Sequence, residues 1–283
     1  MRLPGLVFVT VITTGGAPAA RVPTADNLPF EVVERNAIAI PVTIDDAGPF
    51  RFLLDTGASH SSISARLADR LDLRPVAKTL VTTPAGDSWR VVVALRRVAI
   101  GNVAAERVLA SVAPTEQLVD SNIHGVLGQD VLAELHFTLD YRERLLWWGE
   151  PHPAHGKTRV ALEWVAGCPV LRAATAGADG SALRLIPDTG ASHLVLFQSA
   201  AAALPRVRAA PELFTLRTLA DRRTVQQVVV AELRVGDIAL TNQPAALIDS
   251  TPQRIPADGL LPLHLFRRVT FNGPGRYLLI EPR

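Results

Sequence analysis

The sequence contains a single cysteine, Cys168, and only two lysines, Lys78 and Lys157. One cysteine excludes an intramolecular disulfide and a cysteine-based zinc site. Its surroundings, "GCPVL", read as strand, and the thiol as buried and inert. Basic charge is carried almost entirely by arginine and is nearly balanced, 29 basic against 27 acidic residues for a net charge of +2. No basic run is interleaved with aromatics, so no nucleic-acid surface is expected. The pairs Arg96-Arg97, Arg222-Arg223 and Arg267-Arg268 read as solvated strand and loop positions. No stretch approaches the roughly 18 apolar residues of a membrane span, so no stable membrane insertion is expected. His152 and His155 have no further ligands at a recognisable spacing, and neither a metal nor a cofactor is expected.

What is present is apolar sequence, 48% of 283 residues, enough to support a packed core and to exclude general disorder. Residues 1–20, "MRLPGLVFVTVITTGGAPAA", combine Arg2, a short apolar stretch and the small-residue pattern Ala17-Pro18-Ala19. They read as a secretory signal peptide, which places the mature chain in the periplasm or outside the cell. If the segment is not a signal, the expected compartment is the cytoplasm.

The chain repeats itself. "DTGASH" occurs at 55–60 and again at 188–193, each time after an apolar run. A lone Asp-Thr-Gly after a strand is usually only a turn. Here two further landmarks keep the register: Gly101 with Gly236, and Gly125 with Gly259. Independent turns have no reason to do so. A duplicated lobe of about 120 residues follows. In each copy a hairpin leads into the motif: "AIAIPVTIDDAGPFRFLL" in the first, "CPVLRAATAGADGSALRLIP" in the second. Short helices are expected within 63–73 and 196–207, followed by runs of strand. The expected organisation is an N-terminal lobe over 21–149, a Pro-, Gly- and His-rich linker over 150–159, and a C-terminal lobe over 160–283.

Each lobe thus delivers one acid, Asp55 or Asp188, on a turn fixed by a buried strand. Thr56 and Thr189 can hydrogen-bond backbone through their hydroxyls, and Gly57 and Gly190 permit close approach of another segment. A pseudo-twofold would bring the two carboxyls face to face. At about 3 Å both cannot ionise, so they would share one proton. One then serves as base toward a water and the other as acid toward a carbonyl oxygen. His60 and His193 read as duplicated turn-exit residues. Ser59, Ser61 and Ser62 do not form a triad with His60, because neighbours on a strand point apart.

On "FLLDTGAS", "IPDTGAS", "GVLGQDVL" and "GLLPLHLF", the chain after residue 30 resembles the aspartic peptidases, in their retropepsin-like branch and in bacterial single-chain form. The resemblance implies an all-β, bilobal acid-protease fold: two retropepsin-like β-barrel lobes related by pseudo-twofold symmetry. It implies an aspartic endopeptidase that takes an extended peptide or protein substrate, and a monomer as the working state. Asp55 and Asp188 would be catalytic, and Thr56 and Thr189 would clasp the loops across the dyad. Val126-Leu127-Gly128 and Leu260-Leu261-Pro262 would pack behind them. A substrate flap would fall at 81–89, through Pro84, Ala85, Gly86 at the tip, Asp87 and Trp89, the last beside the cleft. Its counterpart at 216–224 lacks glycine. The second lobe departs from the pattern at Pro187, where the first has Leu54, and at Pro262, where the first has Gly128. A catalytically silent peptide-binding module using the same cleft is the alternative.

Pepsin-like relatives carry Ser or Thr where this chain has Ala58 and Ala191. Without that hydroxyl a carboxylate is harder to ionise. A pH–rate profile with its optimum between mildly acidic and neutral is therefore expected. An optimum in the strongly acidic range would contradict that reasoning.

Overall fold

The computed structural model describes residues 27–33, 36–83, 86–115, 118, 122–149, 157–175, 182–202, 207–217, 222–248, 255 and 257–283. The expected signal peptide lies outside them, as does most of the expected linker. In chain order the first lobe contains β1 (Leu28–Pro29), β2 (Glu31–Val32), β3 (Ile38–Ile44), β4 (Ala47–Leu54), β5 (Ser62–Ser64), α1 (Ala65–Arg70), β6 (Pro75–Thr83), β7 (Gly86–Ile100), β8 (Val103–Ala113), β9 (Gly125–Leu127), α2 (Gln129–Leu132), β10 (His136–Asp140) and β11 (Leu145–Trp148). The second contains β12 (Thr158–Ala161), β13 (Glu163–Val165), β14 (Cys168–Thr175), β15 (Ala182–Asp188), β16 (Leu194–Phe197), α3 (Gln198–Ala202), β17 (Val207–Arg217), β18 (Arg222–Val235), β19 (Ile238–Ile248), β20 (Gly259–Pro262), a 3-10 turn at Leu263–Leu265, β21 (Arg268–Asn272) and β22 (Tyr277–Glu281). Residues 158 and 159 of the expected linker already belong to β12.

The two series match strand for strand. In the first lobe β3, β4, β9, β5, β8 and β7 are hydrogen-bonded in sequence, and the β3–β7 pairing closes the ring. In the second, β14, β15, β20, β16, β19 and β18 close through β14–β18. Each lobe is thus a six-stranded barrel, with β2 and β6, or β13 and β17, attached at the open flanks. Alternation inside the strands drives this: β3 reads Ile-Ala-Ile-Pro-Val-Thr-Ile, with its apolar residues buried and Pro41 exposed. The β3–β4 hairpin turns on Asp45 and Asp46 at φ 49° and 69°, a two-residue turn whose twist suits the flanking strands. In the second lobe the corresponding turn falls outside the described residues.

The three repeated landmarks have physical causes. Gly101 and Gly236 adopt φ 59° and 57° at the β7–β8 and β18–β19 turns, where a side chain would be strained. Gly125 and Gly259 begin β9 and β20, which run parallel to β4 or β15 on one side and antiparallel to β5 or β16 on the other. A Cβ on Gly125 would lie 2.3 Å from Ser62 O, and one on Gly259 1.9 Å from Val195 O. Only glycine fits where three strands cross so closely.

A six-stranded sheet, β1-β11-β10-β21-β22-β12, joins the lobes. At its centre Thr138 pairs with Thr270, and their hydroxyls are 2.9 Å apart. These are equivalent residues of the two copies, so the pseudo-twofold passes between them. Around it the copies have diverged. At one end of the β10–β21 ladder His136 faces Asn272; at the other Asp140 faces Arg268. Arg268 donates to Asp140 Oδ2 at 2.7 and 3.0 Å and to Glu281 at 3.2 Å. This corrects the expectation for Arg267-Arg268, since Arg268 is largely buried and joins the lobes. Arg96 and Arg97 do lie at solvent-exposed positions. Among the described residues no helix is long and apolar enough to cross a membrane.

Burial alone would raise the Asp140 carboxyl; the Glu143 N–H, the Arg268 guanidinium and the Arg142 N–H outweigh it and hold the carboxyl below its usual value. Its contribution to stability is present above the unfolded value and is lost as pH falls through the folded one. Removing one partner of a buried pair costs roughly 3–5 kcal/mol, because the other charge is left unpaired. Arg268→Ala should therefore lower the unfolding free energy by an amount of that order at pH 7, seen as a lower denaturant midpoint, with the deficit shrinking in acid as Asp140 protonates. An unchanged midpoint would show that the pair does not hold the lobes together.

Candidate active site

Both Asp-Thr-Gly turns lie at the carboxyl ends of parallel-paired strands. β4 runs beside β9 with Leu54 opposite Leu127, and β15 beside β20 with Asp188 opposite Pro262. The backbone N–H of Asp55 donates to Leu127 O at 3.0 Å. The expected backing segments are thus in place, and a Cβ on Gly128 would lie 2.5 Å from the His60 carbonyl carbon.

The two turns are locked together by a reciprocal clasp. Thr56 N–H donates to Thr189 Oγ1 at 3.0 Å, and Thr189 N–H to Thr56 Oγ1 at 3.1 Å. Each hydroxyl then donates onward to the carbonyl before the opposite acid, Thr56 Oγ1 to Pro187 O at 2.8 Å and Thr189 Oγ1 to Leu54 O at 2.5 Å. Both threonines are almost completely buried. Pro187 does not disturb this, because the clasp uses its carbonyl and not the missing N–H. The β14–β15 ladder ends at Leu171–Leu185, two residues before Pro187, whereas the first-lobe ladder runs on to Ile38–Leu54; the pairing stops short of the proline.

The clasp brings Asp55 and Asp188 together. Each carboxyl lies close enough to act on the other's ionisation. A Cβ on Gly57 would lie 2.5 Å from Asp188 Cγ, and one on Gly190 2.9 Å from Asp55 Oδ2; each acid sits against the other lobe's glycine. Asp55 Oδ1 accepts from the N–H groups of Gly57 at 2.9 Å and Ala58 at 3.1 Å. Asp188 Oδ1 accepts from Gly190 at 2.6 Å and Ala191 at 3.0 Å. Burial raises the Asp55 carboxyl above its usual value, opposed by its bonds to Asp188, Gly57 and Ala58. Burial and the adjacent Asp55 charge push Asp188 well above it. A pair placed in this way holds one proton between its members and titrates as a unit.

The support behind the two loops has diverged as a set. In the first lobe Ser61 Oγ donates to Asp130 Oδ1 at 2.7 Å and accepts from Gly128 N–H at 3.1 Å. Gln129 Nε2 donates to Thr56 O at 2.6 Å. The equivalent second-lobe residues are Leu194, His264, Pro262 and Leu263. Pro262 lacks the N–H and Leu194 lacks the acceptor, so losing both leaves nothing unpaired. Burial, with Arg283 and His193 nearby, lowers the His264 ring to about 4. Sequence reading treated these positions only as landmarks and missed their polar roles. The signal was present in the contrast of "GQDVL" with "PLHLF".

Other expected features vary. Cys168 is buried, with Sγ 4.0 Å from Gly57 O. Burial and the two dyad charges push its thiol up to about 11, as an inert thiol should be. Ser59 Oγ does meet His60 Nδ1 at 2.8 Å, and Ser192 Oγ meets His193 Nδ1 at 2.9 Å. The expectation that these neighbours point apart fails, because residues 59–60 form a bend and not a strand. In the flap hairpin Thr83 pairs with Gly86 and Thr82 with Asp87, so Gly86 lies in the ladder and not at the tip. Pro84 and Ala85 lie outside the described residues, as does the tip of the counterpart hairpin at 218–221. Trp89 is 70% exposed.

Two facing Asp-Thr-Gly loops between duplicated β-barrels define the bilobal acid-protease class. A family model described as aspartyl protease matches residues 40–131 and again 174–264, once in each lobe. The chain belongs to the aspartyl protease family. No curated protein sequence matches it significantly.

Between the ordinary carboxylate value and the raised Asp188 value, the folded protein retains a proton that the unfolded chain has released. Stability is therefore full below that window and falls as pH rises through it, by up to about 1.4 kcal/mol per pH unit. Asp188→Asn should remove this dependence. Its melting temperature should exceed that of the wild type by a margin that widens from pH 4 to pH 7; a constant or shrinking margin would count against a protonated Asp188.

Proposed function

We propose that the protein is an aspartic endopeptidase in which Asp55 and Asp188 jointly activate a water. Asp55, as carboxylate, takes a proton from the water while the water oxygen attacks the peptide carbonyl carbon. Asp188 gives its proton to the carbonyl oxygen. On collapse of the tetrahedral species, one hydroxyl returns a proton to Asp188, the C–N bond breaks, and Asp55 protonates the departing nitrogen. The observation that carries this reading is the threonine clasp that sets each carboxyl against the opposite loop's glycine and so against the other carboxyl. Membership of the aspartyl protease family supports it. Pro187 and Pro262 do not count against activity, since the clasp is complete despite them.

An extended peptide would lie across both loops and pair with the β6–β7 hairpin as an added strand. The working pH range is expected to be mildly acidic to neutral, because both carboxyls are raised and neither has a neighbouring hydroxyl at Ala58 or Ala191.

Digestion of a peptide library by the wild type, Asp55→Asn and Asp188→Asn gives the test. Each variant should lose at least 10²–10⁴-fold in kcat/KM, the usual worth of acid–base catalysis, while a statine-type mimic blocks the wild type. Cleavage that persists in either variant would remove the dyad from the mechanism. Tight peptide capture without turnover by the wild type would favour the binding module.

A further inference from the structure

The dyad loops are near copies, and each carboxyl receives two backbone N–H bonds. Direct donors therefore do not differ in number, and the shorter contact, 2.6 Å, is on Asp188. One peptide further out the lobes differ in kind. Gln129, 3% exposed, donates from Nε2 to Thr56 O at 2.6 Å. Its Oε1 meets no hydrogen-bond donor among the described residues, so the amide is oriented by this bond, which only nitrogen can make. The equivalent residue is Leu263, a hydrocarbon that can donate nothing to Thr189 O.

The Thr56 carbonyl and the Gly57 N–H belong to one peptide group. A donor on the carbonyl polarises that group and strengthens its N–H as a donor. The Gly57 N–H is the one that bonds Asp55 Oδ1. We propose that Gln129 is a positioning residue that breaks the symmetry of the dyad: it polarises the Thr56–Gly57 peptide, favours charge on Asp55, and leaves the shared proton on Asp188. Burial acts in the same direction, since Asp188 is 7% exposed and Asp55 is somewhat more open.

The titratable groups facing Asp55 are Asp188 from the opposite loop and Cys168 from β14, whose thiol is neutral. On the α2 side, Asp130 pairs with Ser61, and His60 with Ser59. The proposal rests on the dyad of the preceding subsection, and its first readout needs no substrate.

Carboxyl-carbon NMR of the aspartate-labelled chain, assigned with Asp55→Asn and Asp188→Asn, reads each acid separately. In the wild type Asp55 should ionise first. In Gln129→Met and Gln129→Leu the Asp55 midpoint should rise by about 0.1–0.7 pH unit, the size expected when a charge-assisted bond loses 10–30% of its strength. The acid limb of kcat/KM should move by the same amount, with KM little changed. Asp188 ionising first in the wild type overturns the proposal. So does a folded variant with unmoved midpoints, or failure of both variants to fold, which would make Gln129 a structural prop. If the wild type cleaves no peptide while the carboxyl midpoints shift as stated, the endopeptidase reading fails and the role of Gln129 stands.

Discussion

Each threonine hydroxyl in the central clasp accepts from one lobe and donates to the same lobe's preceding carbonyl, so neither loop can settle without the other. The four hydrogen bonds between Thr56, Thr189, Leu54 and Pro187 are buried, where an unmade bond costs more than a made one contributes. They fix the separation of two groups that would otherwise repel. Gly57 and Gly190 complete the arrangement by leaving the volume that each opposite carboxyl occupies. The shared proton follows from this forced proximity, and the proposed chemistry follows from the proton.

Duplication explains the scaffold, and divergence explains its details. Thr138 and Thr270 still meet on the pseudo-axis, as equivalent residues must. A few residues away the ladder carries Asp140–Arg268 at one end and His136–Asn272 at the other. Fusion of two copies into one chain allows such unequal pairs, which identical subunits could not form. The same freedom operates behind the dyad, where Ser61, Gly128, Gln129 and Asp130 are answered by Leu194, Pro262, Leu263 and His264. One exchange is compensating, since Pro262 loses the donor and Leu194 the acceptor of the same contact; Leu263 instead removes a donor and leaves the carbonyl it would have met.

Much of the fold was legible in the sequence because duplication amplified weak signals. One DTG is a turn; two in register with two further glycines define a lobe. The dyad and its clasp were legible for the same reason. Arg268 was misread because its partner Asp140 is more than a hundred positions away, and composition cannot distinguish a solvated arginine from one bridging two lobes. Gln129 was missed because a polar residue after a strand usually faces solvent; only the packing of α2 behind the first loop turns it toward Thr56. Gly86 was placed at a flap tip by position from the family resemblance, whereas strand pairing extends to Thr83–Gly86.

Proton counting tests the central claim most directly. Difference potentiometric titration of the wild type against an Asp55→Asn, Asp188→Asn double variant reads how many protons the pair retains. Retention of about one proton across the mildly acidic range is expected for carboxyls held in contact. Release of both protons near the ordinary carboxylate value would contradict it, and would mean that the two acids ionise independently.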